Sequence, residues 1–208
     1  MNWNNLLNQV LNTVQNKQGH HRSRQSNPLG SLGGSALAAG LAGMFMKKKN
    51  TKSLVKIGSM AAIGMLAYKA YQNWQSSNQN VTIPAQNTFE PTGMIAEDQS
   101  RIILRAMIAA AASDGLIDDA EKQIILQESS NDPQAQQWLE TELNHPATPQ
   151  ALAQAVNGNA ALAAEVYLAA RIVCADLDRK EIIFLAQLAQ ALNLDNTLVD
   201  HLEQQAGF

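Results

Sequence analysis

A chain of 208 residues, 46 % apolar but only 5 % aromatic, has room for one packed domain plus extra segments, and its many alanines favour close-packed helices over sheet. A single cysteine excludes an intrachain disulfide. The net charge of −3 hides a split: residues 1–95 carry nine bases and one acid (+8), whereas residues 96–208 carry six bases and seventeen acids (−11). The basic half is suited to an anionic surface and the acidic half to solvent. No basic run is interleaved with aromatics and no zinc or helix-turn-helix pattern occurs, so membrane lipid is the expected surface and nucleic acid is not an expected partner.

Residues 1–16 form the first element. Trp3, Leu6, Leu7, Val10, Leu11 and Val14 recur at helical spacing with Asn and Gln opposite, an amphipathic helix rather than the apolar block of a secretory signal. Two destinations fit it: the membrane interface, with Trp3 at headgroup level, or the protein's own domain. Residues 17–28 read as a basic linker, and the neighbouring His20 and His21 as surface residues.

Residues 29–74 read as a glycine-rich, membrane-associated region. Its first stretch, 29–46, runs eighteen residues without a charge and includes five glycines. At about 1 kcal/mol each relative to alanine, those glycines disfavour a water-exposed helix, whereas lipid forbids unpaired backbone and favours one. Gly30, Gly34, Ala38 and Ala42 share one stripe at i+4 spacing, a ridge suited to self-association within a bilayer. Lys47, Lys48, Lys49 and Lys52 follow, and then a shorter apolar stretch with Tyr68, Tyr71 and Trp74 as candidate interfacial anchors. If 29–46 alone crosses, the positive-inside rule puts the C-terminal domain in the cytoplasm. Residues 75–95, polar with Pro84 and Pro91, read as a flexible linker.

Residues 96–208 read as an acidic all-α bundle of about seven helices. Asp118 with Glu121, and Asp178 with Glu181, are capping boxes sixty residues apart; Thr148-Pro149, Asn159 and Asp195 open further helices. The string around Asp114-Gly115 resembles the second half of an EF-hand loop, but Ala110 and Ala112 stand where its first and third ligands belong. Asp114, Asp118, Glu121, Asp178 and Glu181 therefore have two readings: helix caps, or a weak divalent-cation site where two hairpins face each other.

No P-loop, GxSxG, HExxH or CxxC is present. His145 and His201 have no evident partner, Cys174 reads as a packed thiol, and Arg171 as half of a structural ion pair. An enzyme is not expected.

The string SDGLIDDAE after an alanine-rich helix, with a second Asp-x-x-Glu hairpin sixty residues on, resembles the tellurite-resistance TerB-like helical domain. The glycine-rich segment ahead of it resembles the YebE type of bacterial inner-membrane protein, a family of unknown function. The resemblance implies a compact helical fold at the bacterial inner membrane, involvement in envelope or metal stress, and metal contacts at Asp114, Asp118 and Glu121. The functional expectation is a membrane-anchored helical interaction or sensing module with an unidentified protein partner. The alternative is a divalent-metal-dependent enzyme using the acidic turns.

Overall fold

The computed structural model describes residues 2–16, 36–46, 57–78, 81–115, 122–123, 126, 133–174 and 177–208. Among them lie nine α-helices, one 3₁₀ turn and no strand. In chain order these are α1 (Trp3–Asn16), α2 (Ala36–Met46), α3 (Met60–Ser77), the 3₁₀ turn Gln86–Phe89, α4 (Gly93–Ala112), α5 (Pro133–Asn144), α6 (Pro149–Val156), α7 (Ala160–Val173), α8 (Arg179–Ala191) and α9 (Asn196–Ala206). The all-α expectation holds. The seven-helix arrangement of the C-terminal part and the capping pair Asp118 and Glu121 include residues outside the described set.

The bundle is organised around α7. Its sequence, AALAAEVYLAARIV, is apolar around nearly the whole circumference, and residues 161–173 are all buried. A helix without a polar face must be covered on every side, and α3, α4, α6, α8, α9 and the 3₁₀ turn do so. Local capping starts the surrounding elements. Asn159 accepts the Leu162 amide, and Thr148 accepts Ala151 N ahead of Pro149. Asp178 and Glu181 exchange side chain and backbone as a complete box. Replacing Thr148 by Ala is expected to cost about 1 kcal/mol, read as a lower midpoint in thermal unfolding.

The N-terminal half corrects several expectations. Helix α1 takes the second of its two destinations, burying Leu6, Leu7, Val10 and Leu11 against α2 and α4. Its amides at Trp3 and Asn4 donate to the Glu97 carboxylate of α4, and Asn8 accepts the Met60 amide that opens α3. Of the uncharged stretch 29–46, the described helix is α2, eleven residues long. At 1.5 Å per residue that is roughly 16 Å against about 30 Å of hydrocarbon, and no described helix is long and apolar enough to cross a membrane. Ala38 and Ala42 of the small-residue ridge are fully buried in the core shared with α1, while Gly30 and Gly34 lie outside the described residues.

The three aromatics expected in an interfacial belt instead face other helices. Tyr71 donates to the Ala160 carbonyl (3.1 Å), Trp74 Nε1 donates to Thr197 (2.8 Å), and Tyr68 packs its ring on Phe89. The segment 75–95, expected as a flexible linker, holds the end of α3, the 3₁₀ turn with its buried Phe89, and the first turn of α4. The Phe89 ring, packed against Tyr68 and Tyr71 of α3, pins an otherwise polar connection.

Candidate functional site

Asp114 is buried at the end of α4, where Gly115 takes a left-handed φ of 76°. Its carbonyl oxygen accepts Lys180 Nζ of α8 at 2.8 Å, so one of the protein's own ammonium groups sits at this turn. Asp178 Oδ1 accepts the Glu181 amide (2.8 Å) and Glu181 Oε2 accepts the Asp178 amide (3.0 Å). Both carboxylates thus serve the start of α8. Asp118 and Glu121 lie outside the described residues. Among the described residues no group of three or more His, Cys, Asp or Glu could hold a metal ion.

A second polar cluster joins α7 to α9. Arg171 is buried, its Nη1 donating to the Cys174 carbonyl at 2.7 Å and its Nε 3.1 Å from Glu203 Oε1. The guanidinium carbon stacks 3.7 Å above the Phe208 ring centroid. Tyr167 donates its hydroxyl to the same Glu203 oxygen at 2.7 Å. Burial first, and the Glu203 carboxylate second, push the Tyr167 phenol well above its ordinary range, so it stays a donor at any working pH. The Arg171–Glu203 ion pair, the ring on the guanidinium and the Tyr167–Glu203 hydrogen bond fix the C-terminal helix to the central one. The ion-pair reading of Arg171 holds, but its partner is thirty-two residues away, and sequence did not name it.

That anchoring leaves a groove. Helices α8 and α9 are joined by a short turn yet lean on different neighbours, α8 on α6 and α9 on α3. Between them, floored by Tyr167 of α7, lies a cavity of about 640 Å³. Leu177, Ile182 and Ala186 line the α8 side; Val199, Asp200 and Glu203 line the α9 side. Ile182 is 50 % exposed and Leu177 39 %. A sequence signal existed: the buried stripe of α8 is Glu181, Phe184, Leu185, Leu188 and Ala189, and Ile182 falls about a quarter-turn off it. An apolar residue beside the main stripe widens the sticky face beyond what the core uses.

The fold and this cleft define a class: an all-helical bundle with one helix buried at its centre and an open apolar groove between its last two helices. The chain belongs to the DUF533 family, described as "Protein of unknown function (DUF533)", whose model matches residues 31–206. No curated protein and no solved structure matches it.

Proposed function

We propose that this protein is a helical interaction module that receives, in the α8–α9 groove, an amphipathic helix of a protein partner carrying Lys or Arg beside its apolar row. The observation that carries the reading is the groove itself. Its volume of about 640 Å³ takes several side chains of a docked helix, and Leu177, Ile182 and Val199 supply the apolar contact. Of the two acids lining it, Glu203 is held by Arg171 and Tyr167 whereas Asp200 is exposed, and Asp200, on a region whose charge is −11, selects a basic flank over an acidic one.

Membrane attachment belongs to the same proposal, supported by the uncharged run 29–46 and the lysines at 47–49 and 52. So does a bacterial inner-membrane address with the C-terminal helices in the cytoplasm. Self-association through Gly30, Gly34, Ala38 and Ala42 requires α2 to leave α1, because Ala38 and Ala42 are covered. The TerB-like likeness rests on the SDGLIDDAE string and the Asp178–Glu181 box, and the YebE-type likeness, with its link to envelope or metal stress, on the glycine-rich segment ahead of them.

A synthetic Leu/Lys amphipathic helix is the direct probe, titrated by fluorescence anisotropy. Ile182 is half exposed, so Ile182→Asp is expected to keep the fold while adding an acid to the groove. A merely electrostatic association would tighten, whereas docking in the apolar groove weakens at least tenfold, the effect expected of a central apolar contact worth about 1.4 kcal/mol or more. Unchanged or tighter binding rejects the groove. Sedimentation of the full chain with membranes tests the attachment separately.

A further inference from the structure

Glu165 is the one ionisable side chain of α7 without a hydrogen-bond or ion-pair partner. It is wholly buried in the middle of the helix, and neither carboxyl oxygen has a hydrogen-bonding partner. Such a group is costly unless it is neutral or serves a purpose.

Its surroundings are specific. Helix α3 passes it at Gly64, a residue whose missing side chain lets three groups meet. A Cβ built on Gly64 would overlap the Phe89 carbonyl oxygen of the 3₁₀ turn and stand 3.1 Å from Glu165 Oε1. The carboxyl of α7, the bare backbone of α3 and the carbonyl of the turn therefore crowd around one point. A protonated carboxyl beside a carbonyl oxygen is a donor facing an acceptor; an ionised one is a negative charge facing a negative dipole.

The ionisable groups on the elements packed around α7 are committed elsewhere or turned outward. On α4, Arg105 holds both Glu142 oxygens through Nε (2.8 and 2.9 Å), Glu97 takes the α1 amides, and Asp98 and Arg101 are exposed. On α3, Tyr71 serves Ala160, Tyr68 lies on Phe89, and Lys69 is exposed; Glu90 beside the turn is exposed too. On α9, Glu203 holds Arg171 and Tyr167, Asp195 caps the helix and accepts from Thr197, Asp200 is exposed and His201 half-buried. On α8, Glu181 closes its capping box, Lys180 reaches Asp114, and Asp178 and Arg179 are exposed; α6 has no ionisable side chain. Among the described residues, none offers Glu165 a compensating charge.

We infer that Glu165 is a protonation latch: as the neutral acid it seats α3 and the 3₁₀ turn on α7, and on losing its proton to solvent base it releases them. Burial alone raises the carboxyl from 4.5 to about 8, which places release in the mildly alkaline range. An acid with a raised folded-state pKa confers stability that is complete below about 4.5 and is lost as pH climbs to about 8. What opens first is the seat of α3 and the 3₁₀ turn on α7, the contact that Glu165 lies under.

Hydrogen exchange of the full chain, corrected for intrinsic rates, tests this between pH 5 and 9. In the wild type the opening equilibrium of α3 is expected to rise roughly tenfold per pH unit from about 5 to 8, then level off. In Glu165→Gln, which keeps a neutral donor, that rise is expected to vanish. If Gln does not fold, Glu165→Met, which has no titrating group, must flatten the same curve. Equal slopes in wild type and variant overturn the latch. So does a pH-dependent loss of protection spread as strongly over α5 and α6 as over α3.

Discussion

Gly64→Ala is expected to destabilise the protein by at least about 3 kcal/mol, against the usual sign of such a change. In an ordinary helix interior, alanine in place of glycine gains about 1 kcal/mol from lower backbone entropy in the unfolded chain and better helix propensity. Here the added carbon would sit well inside contact distance of the Phe89 carbonyl oxygen, a backbone atom that cannot rotate away. Relief needs α3 to lift off the 3₁₀ turn, which uncovers the buried Phe89 ring and the Tyr68 and Tyr71 rings tilted against it with centroids 5.5 and 5.7 Å away. Overpacking alone costs about 1–3 kcal/mol, and losing part of an aromatic cluster adds to it. Gly43 supplies the control. It lies in α2 with nothing within 4 Å of its built Cβ, so Gly43→Ala should stabilise by about 0.5–1 kcal/mol. Urea unfolding of both variants decides the matter, and equal midpoints would mean that α3 does not pass this close to the turn.

The features legible in the sequence are those whose physics is local. A cap is a hydrogen bond spanning two or three residues, so Thr148, Asn159, Asp178 with Glu181, and Asp195 could be read from the string and are found in place. The apolar stripe of α1 was equally plain, but a stripe says that a face is buried and not against what. Helix α2 shows the same ambiguity more sharply. Apolar on all sides and glycine-rich, it has the composition of a lipid-facing helix, because burial in protein and burial in lipid both remove water. Its described part finds that dryness under α1.

Other features depend on distant partners and left little trace. Glu165 sits in an alanine-rich run where a lone acid reads as a solvent-facing position; only the apolar character of every other face of α7 hinted otherwise. The Arg171–Glu203 contact joins two helices through partners thirty-two positions apart, and no periodicity links them. Phe89 stands alone among polar residues, without a pattern to mark it as core. The groove, the latch and the clamp on α9 are all products of how helices are placed rather than of where they begin.

The placement of α1 has its own decisive test, Leu7→Asp. Leu7 is fully buried, in a stripe continued by Val10 and Leu11. Trp3 at the start of α1 meets Trp138 of α5 edge-on, with centroids 4.7 Å apart, while Asn4 donates to Ser100 of α4 at 3.1 Å. Docked in this way, α1 offers an aspartate at position 7 no access to water. The variant forfeits about 1.5–3 kcal/mol of leucine burial and must also desolvate an unpaired carboxylate or protonate it. A total loss on the order of 3–5 kcal/mol follows, seen as a lowered thermal midpoint in plain buffer. Asn5→Asp, on the exposed face one turn before Gln9, should shift stability by no more than about 0.5 kcal/mol. A helix that lay on lipid and left the bundle would behave in the opposite way: Leu7→Asp would unfold with the wild-type midpoint and lose vesicle binding instead. The two outcomes separate a helix that completes the core from one that seeks a membrane, because only the first makes folding in water depend on residue 7.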